Sequence, residues 1–253
     1  MFLGTGTSHG VPMIGCECAV CTSADPRDKR LRTSIIVETS DGTTLLVDTT
    51  PDLRTQALRH GLRRVDAILY THAHADHLFG LDDVRRFNAL SGHAMPIYAR
   101  ADTVQEVRQR FGYAFVGGKP QGGGLPELRL WTIGGPFCIG TQEIVPIPIL
   151  HGRREILGFR FGRFAYLTDC SAIPASSLEL LTGLEVLVLD ALRRRPHSTH
   201  FSLDESIAMA ARIGAAQTYF THMAHDLGHA ETSAGLPAGV SLAYDGLSLA
   251  IGG

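Results

Sequence analysis

The chain has 253 residues, 44% of them apolar, which suits a folded globular protein with a sizeable core. Its net charge of -2 provides no global positive field to recruit nucleic acid or an anionic membrane, so no stable nucleic-acid complex is expected. No apolar run is long enough to cross a bilayer, and the opening "MFLGTGTSHG" lacks the basic and apolar segments of a secretion signal, which makes a cytoplasmic location the expectation.

Three cysteines, Cys16, Cys18 and Cys21, come first along the chain, packed into six positions. In a reducing compartment such a cluster reads as a metal knot, and a disulfide among the three would leave one thiol over. Three thiolates are one ligand short of a tetrahedral zinc shell. From the residues alone the fourth position is open to His9, His225, Asp226 or His229. Short β-branched or aromatic runs bounded by turn residues then predict strands at "TSIIVET", "TLLVD", "VDAILYT", "EIVPIPIL", "GFRFG", "FAYLTD", "EVLVLD" and "QTYFT". Between them, helices are predicted at 51–61, with Pro51 in its first turn, and at 77–90, 101–111 and 201–214. The last has Ser202 and Glu205 in capping-box spacing and stops at Gly214. The segment from Gly117 to Pro126 is too poor in apolar side chains for either and is expected to be a loop. Strands interspersed with helices predict a two-layer sheet core covered by helices, in one α/β unit.

The stretch "YTHAHADHLFG" follows the strand "VDAILYT" and sets His72, His74, Asp76 and His77 within six residues. His72 and His74, two apart, can point the same way, while the turn lets Asp76 and His77 face a second point. Four donors cannot complete two ions. His151, Asp169 and His222 each lie at the end of a predicted strand and can converge on the same sheet edge. The expected assignment is His72, His74 and His151 to one ion and Asp76, His77 and His222 to the other, with Asp169 bridging. Such a pair holds a bridging hydroxide at neutral pH and polarises the attacked centre, so hydrolysis is the expected chemistry. Imidazole and carboxylate donors accept zinc, manganese or iron.

On these residues the sequence resembles the metallo-β-lactamase superfamily, along the whole chain. Within it, "GTGTSHGVPMIGCECAVC" is similar to the PhnP-like phosphodiesterases, which carry a cysteine-rich zinc site near the N-terminus. The resemblance implies a four-layer αββα sandwich spanning residues 1–253 as a single domain, with the zinc-knot loop around 15–22. It implies two catalytic divalent metals (Mn2+ or Zn2+, tilted toward manganese) and one structural Zn2+, held by Cys16, Cys18, Cys21 and His225. It also implies a homodimer, and a small cyclic phosphodiester as substrate, such as a 2′,3′-cyclic nucleotide or a ribosyl cyclic phosphate. In the resembling enzymes the histidine before the helix "FSLDES" contacts the phosphate and protonates the leaving alkoxide, a catalytic role that falls on His200, alongside the catalytic Asp169. An alkoxide is a poor leaving group, so an imidazolium there fits the chemistry.

Other residues carry plainer expectations. Arg153, Arg154 and Arg193 to Arg195 read as solvated side chains. His60 and His93 read as surface residues, and Cys138 and Cys170 as small buried ones. Asp52 reads as stabilising the first turn of its helix. Asp48 is either a support for a ligand histidine or a turn residue. Three rival functions share the motif: a tRNA 3′-processing nuclease, which needs a basic arm absent from this sequence; a thioesterase or lactonase, which needs no acid such as His200; and a non-hydrolytic PqqB-like accessory protein.

Overall fold

The computed structural model describes residues 1–116 and 124–252. Residues 117–123 of the expected Gly117 to Pro126 loop lie outside that description; Gly124 to Pro126 are in neither helix nor strand. One sheet contains β1 (Phe2–Gly4), β2 (Ser34–Glu38), β3 (Thr44–Val47), β4 (Ala67–Leu69), β5 (Met95–Ala99) and β6 (Leu128–Thr132), ordered as in the chain. The other contains β7 (Phe137–Ile139), β8 (Gln142–His151), β9 (Arg154–Phe161), β10 (Phe164–Leu167), β11 (Val186–Asp190), β12 (Gln217–Thr221) and β13 (Val240–Leu242), again side by side in sequence order. Strands β3 to β6 run parallel, as do β10 to β13, and the remaining pairs are antiparallel.

Alternation along each strand divides its side chains between two apolar layers. Ile35, Leu45, Val47 and Leu69 meet Leu157, Phe159, Tyr166 and Val188 between the sheets. Their neighbours Ile36, Leu46 and Ile68 face the helices α1 (Leu53–Arg59), α2 (Ala75–Leu78), α3 (Arg85–Ser91) and α4 (Ala101–Arg110) through Leu53, Leu78, Phe87 and Val107. On the far side, Leu187, Leu189 and Phe220 pack with Leu203 and Ala210 of α6 (Leu203–Ile213) and, near α5 (Ala175–Glu179), with Leu181. Both faces of each central strand are therefore buried, which is why their sequences are continuous apolar runs. This is the expected αββα sandwich. A last short helix, α7 (His229–Ala234), packs near β13.

Several elements depart from expectation. The predicted helix 77–90 is broken into α2, a 3-10 turn (Leu81–Val84) and α3. Gly80 is the cause: its amide donates to Thr49 O at 2.9 Å, and a Cβ there would sit 1.9 Å from Thr50 O. The chain bends to press the end of α2 onto the loop after β3. Helix α1 starts at Leu53, because Asp52 serves elsewhere: its carboxylate accepts from the Arg32 amide at 2.9 Å and pairs with the Arg32 guanidinium at 3.0 Å, with no cap bond to α1. The capping box of α6 forms as expected, with Ser202 and Glu205 bonded reciprocally and Gly214 left-handed after the last turn. Strands β1, β5, β6, β7 and β13 were not predicted; β1, β7 and β13 have three residues each, too short to show a period.

Candidate metal centre

Parallel strand direction decides where the donors meet. Strands β3, β4, β10, β11 and β12 end at the same edge of the sandwich, as does β8, which is antiparallel to β9 and hence parallel to β10. Just past those ends lie Asp48, the His72–His77 loop, Asp169 and His222, with His151 and Asp190 as the last residues of β8 and β11. Among the described residues the non-glycine residues with positive φ are Asp48 (64°), Asp169 (55°) and His222 (60°). A left-handed residue within two positions of a strand's end turns its side chain across the edge at a conformational cost that the surrounding packing must offset.

The seven predicted donors gather into two groups that share Asp169. His72, His74, His151 and Asp169 form one, and Asp76, His77, His222 and Asp169 the other; within each group the donor atoms all lie within 4.8 Å of one another. The two carboxylate oxygens divide the work. Asp169 Oδ2 lies 3.8 Å from His72 Nε2 and 3.9 Å from His151 Nε2, while Oδ1 lies 3.1 Å from His77 Nε2 and 3.3 Å from His222 Nε2. Asp76 Oδ2 closes the second group, 3.4 Å from His77 Nε2 and 3.6 Å from His222 Nε2.

Supporting hydrogen bonds set the tautomers. His77 Nδ1 donates to Asp48 Oδ2 at 2.8 Å, and His151 Nδ1 donates to Thr199 O at 2.7 Å. The Thr71 hydroxyl donates to Asp48 and so accepts from His72 Nδ1 at 3.0 Å. In the neutral form of each ring the Nε2 lone pair faces the centre, the arrangement that orients metal-binding imidazoles. The Nε2 atoms of His72, His77 and His222 are buried and have no hydrogen-bond partner, a cost that a cation at the centre of each group would remove. The residues therefore fit two divalent ions.

The electrostatics agree. Burial, reinforced by neighbouring imidazoles, pushes His72 well below the usual histidine range, and burial first also lowers His74 and His151. Burial opposes a charge on His77 and His222 too, but the carboxylates around them outweigh it: His77 is raised well above its usual range and His222 to about 9. Despite burial, the same imidazoles hold Asp76 and Asp169 far below the ordinary carboxylate range. Without metal, then, protons on His77 and His222 supply the positive charge that this anionic pocket requires.

A profile described as "Beta-lactamase superfamily domain" matches residues 43–223, which include all seven donors. A diphosphatase of the PhnP family has a crystal structure that superposes with a TM-score of 0.92 at 48% identity, over 100% of this chain and 97% of that one. The chain belongs to the β-lactamase superfamily, in the PhnP family. A second relative of this superfamily fold, Zn2+-bound PqqB from Methylobacterium extorquens, is 20% identical with a TM-score of 0.80, covering 99% of both chains. A Porphyromonas gingivalis protein named octanoyltransferase is 38% identical over 256 residues, covering 99% of this chain but 51% of that protein, so the chain spans about half the length of that relative.

Beside the two-group centre of this superfamily member stands His200. Its Nδ1 donates to Asp190 Oδ2 at 2.8 Å, and its Nε2 lies 4.0 Å from Asp169 Oδ2. Asp190 carries no motif of its own in the sequence, but it ends "EVLVLD" at the same kind of strand terminus as Asp48 and Asp169, and that placement is its one sequence signal. Asp48 resolves as a support for the ligand loop, fully buried and bonded to Thr71 and His77.

The cysteine knot forms around one histidine. His225 Nδ1 lies 3.2, 3.4 and 3.5 Å from the sulfurs of Cys16, Cys18 and Cys21, all of which are free thiols. His9 is exposed and His229 lies in the first turn of α7, so neither joins the sulfurs; Asp226 instead sits beside His225 Nε2 at 3.6 Å. The Cys21 amide pulls the Cys18 thiol down to about 6, while burial pushes Cys21 up to about 11. One ready thiolate and three convergent partners fit a structural zinc ion. A second clasp had no sequence signal. Arg30 is buried and donates to Ala224 O (3.1 Å) and Leu227 O (2.5 Å), binding the N-terminal loop to the segment that carries His222 and His225.

Some expected placements fail. Cys138 is exposed on β7, whereas Cys170 is buried as expected. His60 is half-buried with its Nε2 enclosed, while His93 is exposed. Arg154 is half-buried and not a free surface charge: its guanidinium is tied to Glu106 (3.3 Å) and Asp102 (3.6 Å) of α4. Arg193 donates to the carbonyls of Arg195 and Pro196, bracing the loop that leads to His200. No helix among the described residues is long and apolar enough to cross a membrane.

Proposed function

We propose that this metallohydrolase is a phosphodiesterase of small phosphodiesters, including cyclic ones such as 2′,3′-cyclic nucleotides. The observation that carries this reading is the sharing of Asp169 between two donor groups, with a carboxylate-backed imidazole, His200, beside the same oxygen. His72, His74, His151 and Asp169 would hold one divalent ion and Asp76, His77, His222 and Asp169 the other, manganese or zinc. Two such ions supply Lewis-acid charge for the phosphoryl oxygens and an activated water. His200 holds its Nε2 toward the reacting phosphate and delivers a proton to the departing alkoxide, with Asp190 fixing the ring. Cys16, Cys18, Cys21 and His225 would hold a structural zinc that braces the wall carrying His222.

A thioester or lactone hydrolase needs no such acid, so the Asp190–His200 pair favours the phosphodiester reading. Completeness of the seven donors argues against a non-hydrolytic PqqB-like role. The 48%-identical relative is a diphosphatase, which adds phosphoanhydrides, whose bridging oxygen joins two phosphoryl groups, as a further substrate class. Reduced cysteines at the knot suit a cytoplasmic setting.

Metal analysis combined with a panel of 2′,3′-cyclic, 3′,5′-cyclic and linear phosphodiesters, with a thioester as control, tests the reading. The expected result is about three metals per chain, hydrolysis of at least one diester, and a loss of about a hundredfold or more for His200→Ala on alkoxide-leaving substrates. Turnover of the thioester alone, or a His200→Ala variant with undiminished activity on an alkoxide-leaving diester, would overturn it.

A further inference from the structure

The loop before α6 holds a second histidine that the proposed reaction leaves unused. His197 is half-buried, and its ring centroid lies 5.3 Å from that of His200. The Thr199 amide points at His197 Nδ1 from 3.3 Å, with the Thr199 hydroxyl 3.1 Å away. A backbone amide can only donate, so Nδ1 accepts and the ring proton is on Nε2. That N–H has no partner among the described residues.

Its position is fixed from several sides. Thr199 O accepts from His151 Nδ1, so the residue that sets the His197 tautomer also orients a donor of the centre. Arg193 braces the carbonyls of Arg195 and Pro196 just before it. The β8–β9 turn presses on the same loop: a Cβ on Gly152 would lie 2.9 Å from Thr199 Cγ2, and Gly152 itself is left-handed at φ 63°. Arg153, the next residue of that turn, is exposed and in no ion pair among the described residues. A preorganised N–H donor thus lies a ring's width beyond His200, and Arg153 follows the glycine that packs against the same loop.

We infer that His197 and Arg153 form a second anion subsite, which binds the neighbouring phosphoryl group of a substrate whose bridging oxygen joins two phosphates. This rests on the phosphodiesterase reading and extends it to a phosphoanhydride substrate at the same site. In that reaction the water oxygen bonds to one phosphorus, and the bond from that phosphorus to the bridging oxygen breaks. The bridging oxygen leaves with the electron pair as part of the second phosphate. One water proton remains on the newly formed phosphate and the other goes to the departing one, with both released to solvent according to pH. Two phosphomonoesters result, and no other reactant is needed.

The test compares ADP-ribose, a bridged diphosphate, with bis-p-nitrophenyl phosphate, a single-phosphate diester, on wild type, His197→Ala, His197→Gln and Arg153→Ala. Binding of ADP against AMP to the metal-loaded protein is measured by calorimetry. A donor to a charged oxygen corresponds to about a ten- to hundredfold effect. His197→Ala should lose about that much kcat/KM on ADP-ribose, mostly in KM, with a loss at least about tenfold smaller on bis-p-nitrophenyl phosphate. Glutamine keeps an N–H and should recover part of it. The wild-type preference for ADP over AMP should shrink in both alanine variants. Equal losses on the two substrates would overturn the subsite, as would a wild type that cleaves bis-p-nitrophenyl phosphate but not ADP-ribose, leaving the phosphodiesterase reading intact. If neither is cleaved, the ADP-over-AMP preference decides the subsite, and the phosphodiesterase reading stands or falls on the cyclic and linear diester panel.

Discussion

Asp190 Oδ2 receives two donors, the Cys170 amide at 2.9 Å and His200 Nδ1 at 2.8 Å, while its other oxygen is buried 3.8 Å from His222 Nδ1. The bond from His200 Nδ1 to Asp190 Oδ2 keeps the His200 ring turned toward Asp169. Asp190→Asn keeps an acceptor for the ring but removes the charge. The expected outcome is a fall in kcat of about ten- to a hundredfold on diesters with alkoxide leaving groups, and a much smaller fall when p-nitrophenolate departs, since that group needs no proton. Steady-state kinetics on the two leaving-group classes checks this. A uniform loss on both would mean that Asp190 supports structure only. Asp190 also marks a limit of reading residues singly: it matched the strand-end pattern used to find Asp169, but its partner His200 is ten residues away across a loop, and only the folded loop brings the two together.

Among the elements, the segment after β12 has the heaviest duty. Residues 222 to 227 supply His222 to the two-group centre, His225 to the thiols, and two carbonyls to buried Arg30. Removing one knot donor should release one ion while leaving the centre's two, because the Arg30 clasp still holds the backbone. His225→Ala is therefore expected to bind two metals per chain instead of three, with a Tm lowered by several degrees, for a loss of roughly 1–3 kcal/mol. Metal analysis with thermal melts checks both; three metals in the variant would show that another residue completes the knot. The histidine loop shows the same economy of support. Gly80 lets α2 close against the loop carrying Asp48, which in turn bonds His77 and Thr71. Periodicity in the sequence suggested one helix over 77–90, since it registers apolar spacing and not the close backbone approach that breaks it.

For the whole molecule, the anionic pocket links stability, metal and pH. In the metal-free protein His222 titrates near 9, against about 6.5 in an unfolded chain. A raised value in the folded state gives a contribution that is complete below about pH 6.5 and is lost as pH rises through about 9. Chelator-treated protein is accordingly expected to melt at a lower temperature at pH 9 than at pH 6.5. Metal-loaded protein should not share that loss, because the ions replace the protons, and metal affinity should rise over the same interval. Parallel melts with and without chelator check this; an identical pH response in the two forms would count against the metal assignment. The sequence by itself determined the donor inventory and the layered architecture, because His-x-His-x-Asp-His, the cysteine spacing and the apolar strand runs are local patterns. The tertiary structure decided which distant donors meet: that His225 and not His9 faces the thiols, that Asp190 backs His200, and that Arg154 is bound to α4. Those pairings depend on strand order and direction, which bring residues scores of positions apart to one sheet edge, and no local periodicity records that.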